Sequence, residues 1–460
     1  MDRRVKSVNL FPYQQTGAAF LAARPRALLA DEPGLGKSAQ AIAGADDLLA
    51  GTVVVVCPAV GRINWLREFS RFSKLPRRSV AIMAKRDRPI ADGVTVVSWD
   101  LLAAMLPKLP PRIDALILDE SHYAKSRAAK RSRAAWKLVE RSAAVWCLSG
   151  TPAPNDPSEL YPMLRAFKAV GYDYWTFVRK FCQIQETPFG VKILGGRNLG
   201  ELRQLLAPIM LRRKKEEVMK DLPPIRFSDV VVEAEPFDHE LVFPNYFMGP
   251  GFQDRALAER TLAEEVAKQN AAVQALWDVG VDAKGRLAAL EGLAGSTATL
   301  RRYTAMSKVG AVAKMLDQEL IERQYDKIVV FAVHKDPIDT LREALKRHGA
   351  VALYGGTPPT KRQRNIDKFQ TDPKCRVFIG QVTAAGTLIT LTAANQVVFL
   401  ESSWVPADNA QAAMRCHRIG QTRPVFVRVV GLAGSVDEQV QATLRRKTAT
   451  LTQLFDKQEG

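Results

Sequence analysis

Residues 26 to 40 read Arg-Ala-Leu-Leu-Ala-Asp-Glu-Pro-Gly-Leu-Gly-Lys-Ser-Ala-Gln. An apolar run, Ala27 to Ala30, breaks into a Pro/Gly-rich turn, and small helix-compatible residues follow Lys37 and Ser38. The implied order is strand, anion-binding loop, helix. Gly34 and Gly36 let the backbone turn tightly enough for successive N–H groups to converge on an anion, and the positive end of the following helix adds to their field. Lys37 would reach the β- and γ-phosphates of ATP, and the Ser38 hydroxyl would hold Mg²⁺. Asp31 stands where the pattern G-x-x-x-x-G-K-[ST] has its first glycine. Downstream, the apolar run Ala115 to Leu118 ends in Asp119-Glu120. An Asp there can hold Mg²⁺, and the adjacent Glu can orient and deprotonate an attacking water. Arg415 and Arg418, three residues apart, would share one helix face. Their planar guanidinium groups suit charge building up on a γ-phosphate. Gln14, just ahead of the loop, carries an amide that donates and accepts at once, as an adenine edge requires.

These side chains need elements to hold them. Residues 8 to 22 read as a helix leading into the loop. Strands are expected over Ala27–Ala30, Thr52–Cys57, Val94–Val97, Ala115–Leu118 and Ala144–Leu148, several of them ending in polar residues. Strands alternating with helical patterns in this way indicate a parallel α/β sheet with its site along the carboxyl edge. Residues 156 to 226 read as mostly helical and close in a domain edge, Leu211-Arg-Arg-Lys-Lys215 and Asp221-Leu-Pro-Pro224. Residues 254 to 300, rich in Ala, Leu, Glu and Arg, read as a helical insertion without assigned chemistry. A second α/β pattern starts near Lys327, with strands at 328–332, 351–354, 377–379 and 396–400 and helices at 337–348 and 361–370. It has no phosphate loop of its own, so the two arginines are expected to complete the first domain's site. The domain expectation is 1–226, an insertion or linker at 227–300, and 301–460.

A chain of 460 residues suggests two or three domains. No apolar run approaches the ~18 residues of a membrane span, and no signal-peptide pattern opens the chain, so an intracellular protein with no membrane association is expected. Lys and Arg exceed Asp and Glu by 18, which points to a polyanionic partner. The run from Lys125 to Arg141 holds seven basic residues and one acid, and fits either a solvated helix face or a DNA-facing surface. Cys57, Cys147, Cys182, Cys375 and Cys416 are scattered and read as reduced thiols rather than disulfides or a zinc site.

Taken in order, the motifs resemble those of the Swi/Snf-type translocases of helicase superfamily two. Asp31-Glu-Pro-Gly-Leu-Gly-Lys-Ser38 is similar to that family's D-E-M-G-L-G-K-T, which also carries Asp for the first glycine. Asp119-Glu-Ser-His122 resembles D-E-[AS]-H, Leu148-Ser-Gly-Thr-Pro-Ala-Pro-Asn155 resembles L-[ST]-G-T-P-x-x-N, and residues 410 to 421 resemble Q-A-x-D-R-x-H-R-I-G-Q. The compact annealing-helicase branch and short prokaryotic or viral relatives look most similar. The resemblance implies two RecA-like parallel-sheet lobes with helical insertions and an ATP- and Mg²⁺-dependent translocase on double-stranded DNA, gripping mainly the phosphate backbone, with a monomer expected. Gln14, Asp31, Glu32, Gly34, Leu35, Gly36, Lys37, Ser38 and Gly386 would bind ATP. Ser38 and Asp119 would hold the metal, Glu120 would be the base, and Arg415 and Arg418 the arginine fingers. DNA contacts would map to Arg62, Asn64, Ser98, Thr357, Thr383 and Trp404. Two departures stand out: Met414 replaces the family's acid, and Thr387 its usual second glycine after Gly386. The rival readings are a strand-separating DNA or RNA helicase and a nucleotide-gated nucleic-acid clamp.

Overall fold

The computed structural model describes residues 9–75, 79–83, 92–154, 156–187, 190–219, 222–247, 254–278, 297–385, 389–403, 406–435 and 437. The chain divides into two compact units, with the boundary between Leu222 and Pro223.

The first unit is built on strands β1 (Arg26–Leu29), β2 (Thr52–Cys57), β3 (Val80–Ile82), β4 (Gly93–Ser98), β5 (Ile113–Asp119) and β6 (Ser142–Leu148). A hairpin, β7 (Cys182–Thr187) and β8 (Gly190–Gly196), precedes the short β9 (Met210–Leu211). The sheet order is β3-β4-β2-β5-β6-β1-β9, and every pairing is parallel. Such a sheet needs apolar side chains on both faces, which the Val53–Val56 run supplies. Helices Lys37–Asp47 and Arg62–Phe72 cover one face through Ala41, Ile42, Trp65 and Phe69. The other packs against Leu102, Leu138, Leu164 and Phe177.

In the second unit, β10 (Ile225–Val232), β11 (Ile328–Ala332), β12 (Val351–Leu353), β13 (Val377–Gln381), β14 (Gln396–Phe399) and β15 (Val425–Leu432) form an all-parallel sheet of order β10-β15-β14-β11-β13-β12. The long helix Ala298–Ile321 buries Val309, Val312 and Leu316 against one face, and Phe369, Ala412 and Cys416 lie against the other. Two parallel sheets of this kind are the two expected lobes. All five cysteines are free and buried.

Three expectations change. The stretch read as mostly helical contains the hairpin, β9 and the start of β10. Residues 225–232 form an edge strand of the second sheet, and Phe227 and Val231 on it are exposed, so no buried alternation marked the strand in the sequence. The helix expected to carry Arg415 and Arg418 spans Pro406–Ala413 and stops before both.

Leu116 is fully buried between β2 and β6. Leu116→Ala should destabilise the first unit by about 2–5 kcal/mol through lost burial and the cavity left behind, read as a lower urea midpoint of its tryptophan fluorescence.

Candidate active site

β5, β6 and β1 are neighbours, and their carboxyl ends deliver Asp119-Glu120, Ser149-Gly150-Thr151 and the loop after Ala30 to one stretch of sheet edge. In the loop, Gly34 and Gly36 have φ of 97° and 73°, a region glycine enters at little cost. Helix Lys37–Asp47 starts immediately after Gly36. A Cβ on Gly36 would lie 2.4 Å from Nε2 of Gln14. That amide donates to the Leu35 carbonyl at 3.2 Å while its Oε1 accepts from the Phe11 N–H. Tyr13 Oη and Gln40 Nε2 donate to the same carbonyl.

Asp31, in place of a glycine, is fully buried and does not act as a bare acid. Its Oδ1 accepts from Arg213 Nε at 3.0 Å, and its Oδ2 from Arg213 Nη2 at 2.5 Å and Gln40 Nε2 at 3.0 Å. Arg213 also donates to the Tyr13 carbonyl and, at 2.7 Å, to Gln40 Oε1. Glycine at position 17 admits this network, since a Cβ there would lie 1.7 Å from Gln40 Oε1. The sequence reading grouped Asp31 with the ATP contacts and missed Arg213 and Gln40. Arg213 lies within the basic run read only as a domain edge, and nothing in the sequence ties it to a residue so far upstream. Glu32 accepts from the Lys215 N–H at 2.9 Å, which pins the loop a second time to the segment after β9.

Lys37 Nζ donates to the carbonyls of Asp31 (2.7 Å) and Glu32 (3.4 Å). Burial lowers its pKa, opposed by the carboxylates of Glu120, Asp31 and Asp119. The Asp119 carboxylate accepts from Trp65 Nε1 at 2.8 Å and from the Glu120 N–H at 3.0 Å, while Trp99 Nε1 donates to its carbonyl. Burial pushes Asp119 up to about 7, with Glu120 adding to the rise and Trp65 and Lys37 opposing it. Glu120 adopts a left-handed φ of 49°, and its buried Oε2 accepts no hydrogen bond. His122 Nδ1 lies 3.4 Å from that oxygen, beyond a good hydrogen bond, and 3.1 Å from Ser149 Oγ. Gly150 sits against the loop, where a Cβ would meet Pro33 at 2.8 Å.

This donor set fits Mg²⁺ and a triphosphate. Burial and the neighbouring Glu120 raise the proton affinity of Asp119, the buried Oε2 of Glu120 accepts no hydrogen bond, and a divalent cation would offset both. Asp119 and the Ser38 hydroxyl, in the first turn of the helix, are residues that could hold it.

The remaining candidates fall elsewhere. Arg62 and Asn64 begin helix Arg62–Phe72, with Arg62 bonded to the carbonyls of Ala59 and Met83. Ser98 ends β4 and is buried. In the second unit, Thr357 Oγ1 accepts from the Tyr354 N–H in a turn, and Thr383 is exposed on the short helix Val382–Ala385. Arg415 is buried, its carbonyl accepting from the Leu391 N–H, and Arg418 Nη1 donates to the Ile389 carbonyl at 3.1 Å. Asn155, Gly386, Thr387 and Trp404 lie outside the described residues. Sequence reasoning gave no role to His417 or Gln421. His417 bonds the Pro223 carbonyl at 2.7 Å, and Gln421 Nε2 donates to the carbonyls of Thr392, Ala394 and Cys416.

Residues 13–243 match the SNF2-related domain, and residues 311–420 the helicase conserved C-terminal domain. The chain is 32% identical over 453 residues to the SWI/SNF-related matrix-associated actin-dependent regulator of chromatin subfamily A-like protein 1 of Xenopus tropicalis, covering 97% of this chain and 45% of that one. It is 32% identical over 460 residues to the DNA annealing helicase and endonuclease ZRANB3 of Mus musculus, covering 95% and 40%. The chain thus spans less than half the length of these curated relatives. Among solved structures, the Sulfolobus solfataricus SWI2/SNF2 ATPase core in complex with dsDNA aligns at 23% identity and a TM-score of 0.43, covering 99% of this chain and 94% of that one.

Removing one partner of a buried charge pair strands the other. Arg213→Ala should therefore destabilise the first unit by about 3–5 kcal/mol. Adding Asp31→Asn should restore part of that loss, and a double-mutant cycle by urea unfolding measures the coupling.

Proposed function

Because the chain belongs to the SNF2-related family, whose members are ATP-hydrolysing enzymes, we propose that it is a DNA-dependent ATPase that moves along double-stranded DNA without necessarily separating the strands. The observation that carries this reading is the convergence of Lys37, at the end of the loop after β1, with Asp119 and Glu120, at the end of β5, on the two sides of β6. Lys37 and the N–H groups around Gly34 and Gly36 would bind the triphosphate. The Gln14 amide, held at the loop, is the group to read adenine. Asp119 and Ser38 would hold Mg²⁺, which when bound would supply charge neutralisation at the phosphates. Glu120 Oε2, free of a competing hydrogen bond, would orient the attacking water and take its proton. Arg415 and Arg418 of the second unit would neutralise the charge that develops on the γ-phosphate.

An excess of 18 positive charges supports a polyanion as partner, and one relative is a DNA annealing helicase and endonuclease. Of the candidate contacts, Arg62, Asn64, Thr357 and Thr383 are of types that serve phosphate and sugar, whereas Ser98 is buried. Binding should therefore be largely independent of sequence and fall steeply with salt. Hydrolysis that changes each unit's hold on the backbone would convert turnover into movement.

With saturating duplex DNA, Lys37→Ala should weaken nucleotide binding at least tenfold. Glu120→Gln should bind ATP and fail to hydrolyse it, while Arg418→Ala should lose turnover yet keep ATP affinity within a few fold. Fluorescent-nucleotide titration and steady-state phosphate release give both readouts, and normal turnover in the Glu120 variant would remove the proposed base. A tailed duplex should show little strand displacement under conditions of full ATP turnover; efficient displacement would favour a strand-separating helicase.

A further inference from the structure

Away from the nucleotide site, the first unit carries a cationic ridge that the hydrolysis chemistry does not use. Helix Lys130–Val139 buries Ser132, Ala134, Ala135, Leu138 and Val139. Lys130, Arg133 and Lys137 are left exposed on its outer face, three and four residues apart and so in one row, about 10 Å long. The ridge continues into Arg127, whose guanidinium lies 4.2 Å over the ring of Tyr174. Beside Tyr174, with ring centroids 5.2 Å apart, is Trp175, which is 45% exposed. The indole is presented on a capped helix start: Asp173 accepts from the N–H groups of Trp175 (2.8 Å) and Thr176 (3.2 Å) and from the Thr176 hydroxyl. Nearby acids do not cancel the ridge. Asp173 is committed to that cap, Glu159 is paired with Lys125 at 2.7 Å, and Glu140 lies beyond the end of the helix.

A row of cations alone would suit any phosphate backbone. An exposed indole next to an arginine–tyrosine stack adds a second property, a flat π-surface open to solvent, which an indole gives up readily only to a partner. Duplex bases are already stacked on one another, whereas unpaired bases offer their faces to aromatic side chains and to arginine. We propose that this face binds single-stranded nucleic acid, with phosphates along Lys130, Arg133 and Lys137 and a base on Trp175 beside Arg127. The surface lies on different elements from the nucleotide site, and binding to it is independent of hydrolysis.

The 460-residue chain, free of nucleotide, is titrated into a labelled oligo-dT while saturating unlabelled hairpin duplex occupies any duplex-binding surface, and anisotropy is read. Trp175→Ala should weaken binding about tenfold through the lost stacking, and Trp175→Phe should recover most of it. Lys130→Glu/Arg133→Glu/Lys137→Glu should weaken it further and flatten its salt dependence. All three variants should keep wild-type circular dichroism and duplex-stimulated ATP turnover. The proposal is overturned if Trp175→Ala binds the oligonucleotide as tightly as wild type, or if the hairpin displaces it completely. It also fails if charge reversal weakens oligonucleotide and hairpin equally, which would identify a duplex-backbone surface.

Discussion

The phosphate loop takes its shape from one buried ion pair. Asp31 leaves β1 where a small residue would ordinarily let the chain turn, and Arg213 leaves β9, the two-residue strand that pairs with β1 at the sheet's edge. An unpaired carboxylate at that depth would cost several kcal/mol. The planar guanidinium answers it with two parallel hydrogen bonds, a match that lysine could not make. Gln40 closes the network by donating to Asp31 and to the Leu35 carbonyl, so the carboxylate that displaces glycine from the motif becomes the point from which the loop is held. Because Leu35 also accepts from Tyr13 and Gln14, the anion cradle and the amide proposed to read adenine share one anchor.

The same unit keeps Asp119, the carboxylate proposed to hold the metal, in place with indoles. Trp65 donates to the Asp119 side chain and Trp99 to its backbone carbonyl, and both rings are fully buried. Neutral donors fix an acid without neutralising it, which leaves its charge available to a metal. Rigid dipoles set before substrate arrives are the arrangement that makes electrostatic catalysis effective. Beside the left-handed backbone of Glu120 the consecutive acids differ in their bonding: the oxygens of Asp119 are hydrogen-bonded, while Oε2 of Glu120 accepts no hydrogen bond. Conformations of this kind persist only where the surroundings enforce them.

How much of this was legible in the sequence followed the range of the interactions. The loop, the Asp-Glu pair and the buried strands were readable because their signals are local: glycine spacing, a run of β-branched residues, an acid at the end of an apolar stretch. The edges of both sheets were not. β9 is too short to carry a pattern, and β10 exposes Phe227 and Val231 where a buried strand would alternate. Arg213 was visible only as one charge in a basic cluster, because its partner is Asp31, brought near by the fold alone. The basic run after Asp119-Glu120 remained open in the sequence for a related reason: its charges could be counted, but the row of Lys130, Arg133 and Lys137 emerges from the face the helix leaves exposed, and the exposed Trp175 joins it only through the Arg127–Tyr174 contact.

The arginine segment of the second unit shows the limit of periodicity from the other side. A spacing of three residues suggested a shared helix face, yet the helix ends at Ala413, and Arg415 and Arg418 sit in turns. A turn has no internal ladder to hold it, so the segment borrows one from the stretch before β14. The Leu391 N–H donates to the Arg415 carbonyl, Arg418 to Ile389, and Gln421 to Thr392 and Ala394. His417 ties the segment to Pro223, the first residue of the unit. In a motif where Met414 stands in for an acid, Arg415 is held through its backbone carbonyl and Arg418 through its side chain. The Arg418 guanidinium is thus itself held by a main-chain carbonyl of the stretch before β14.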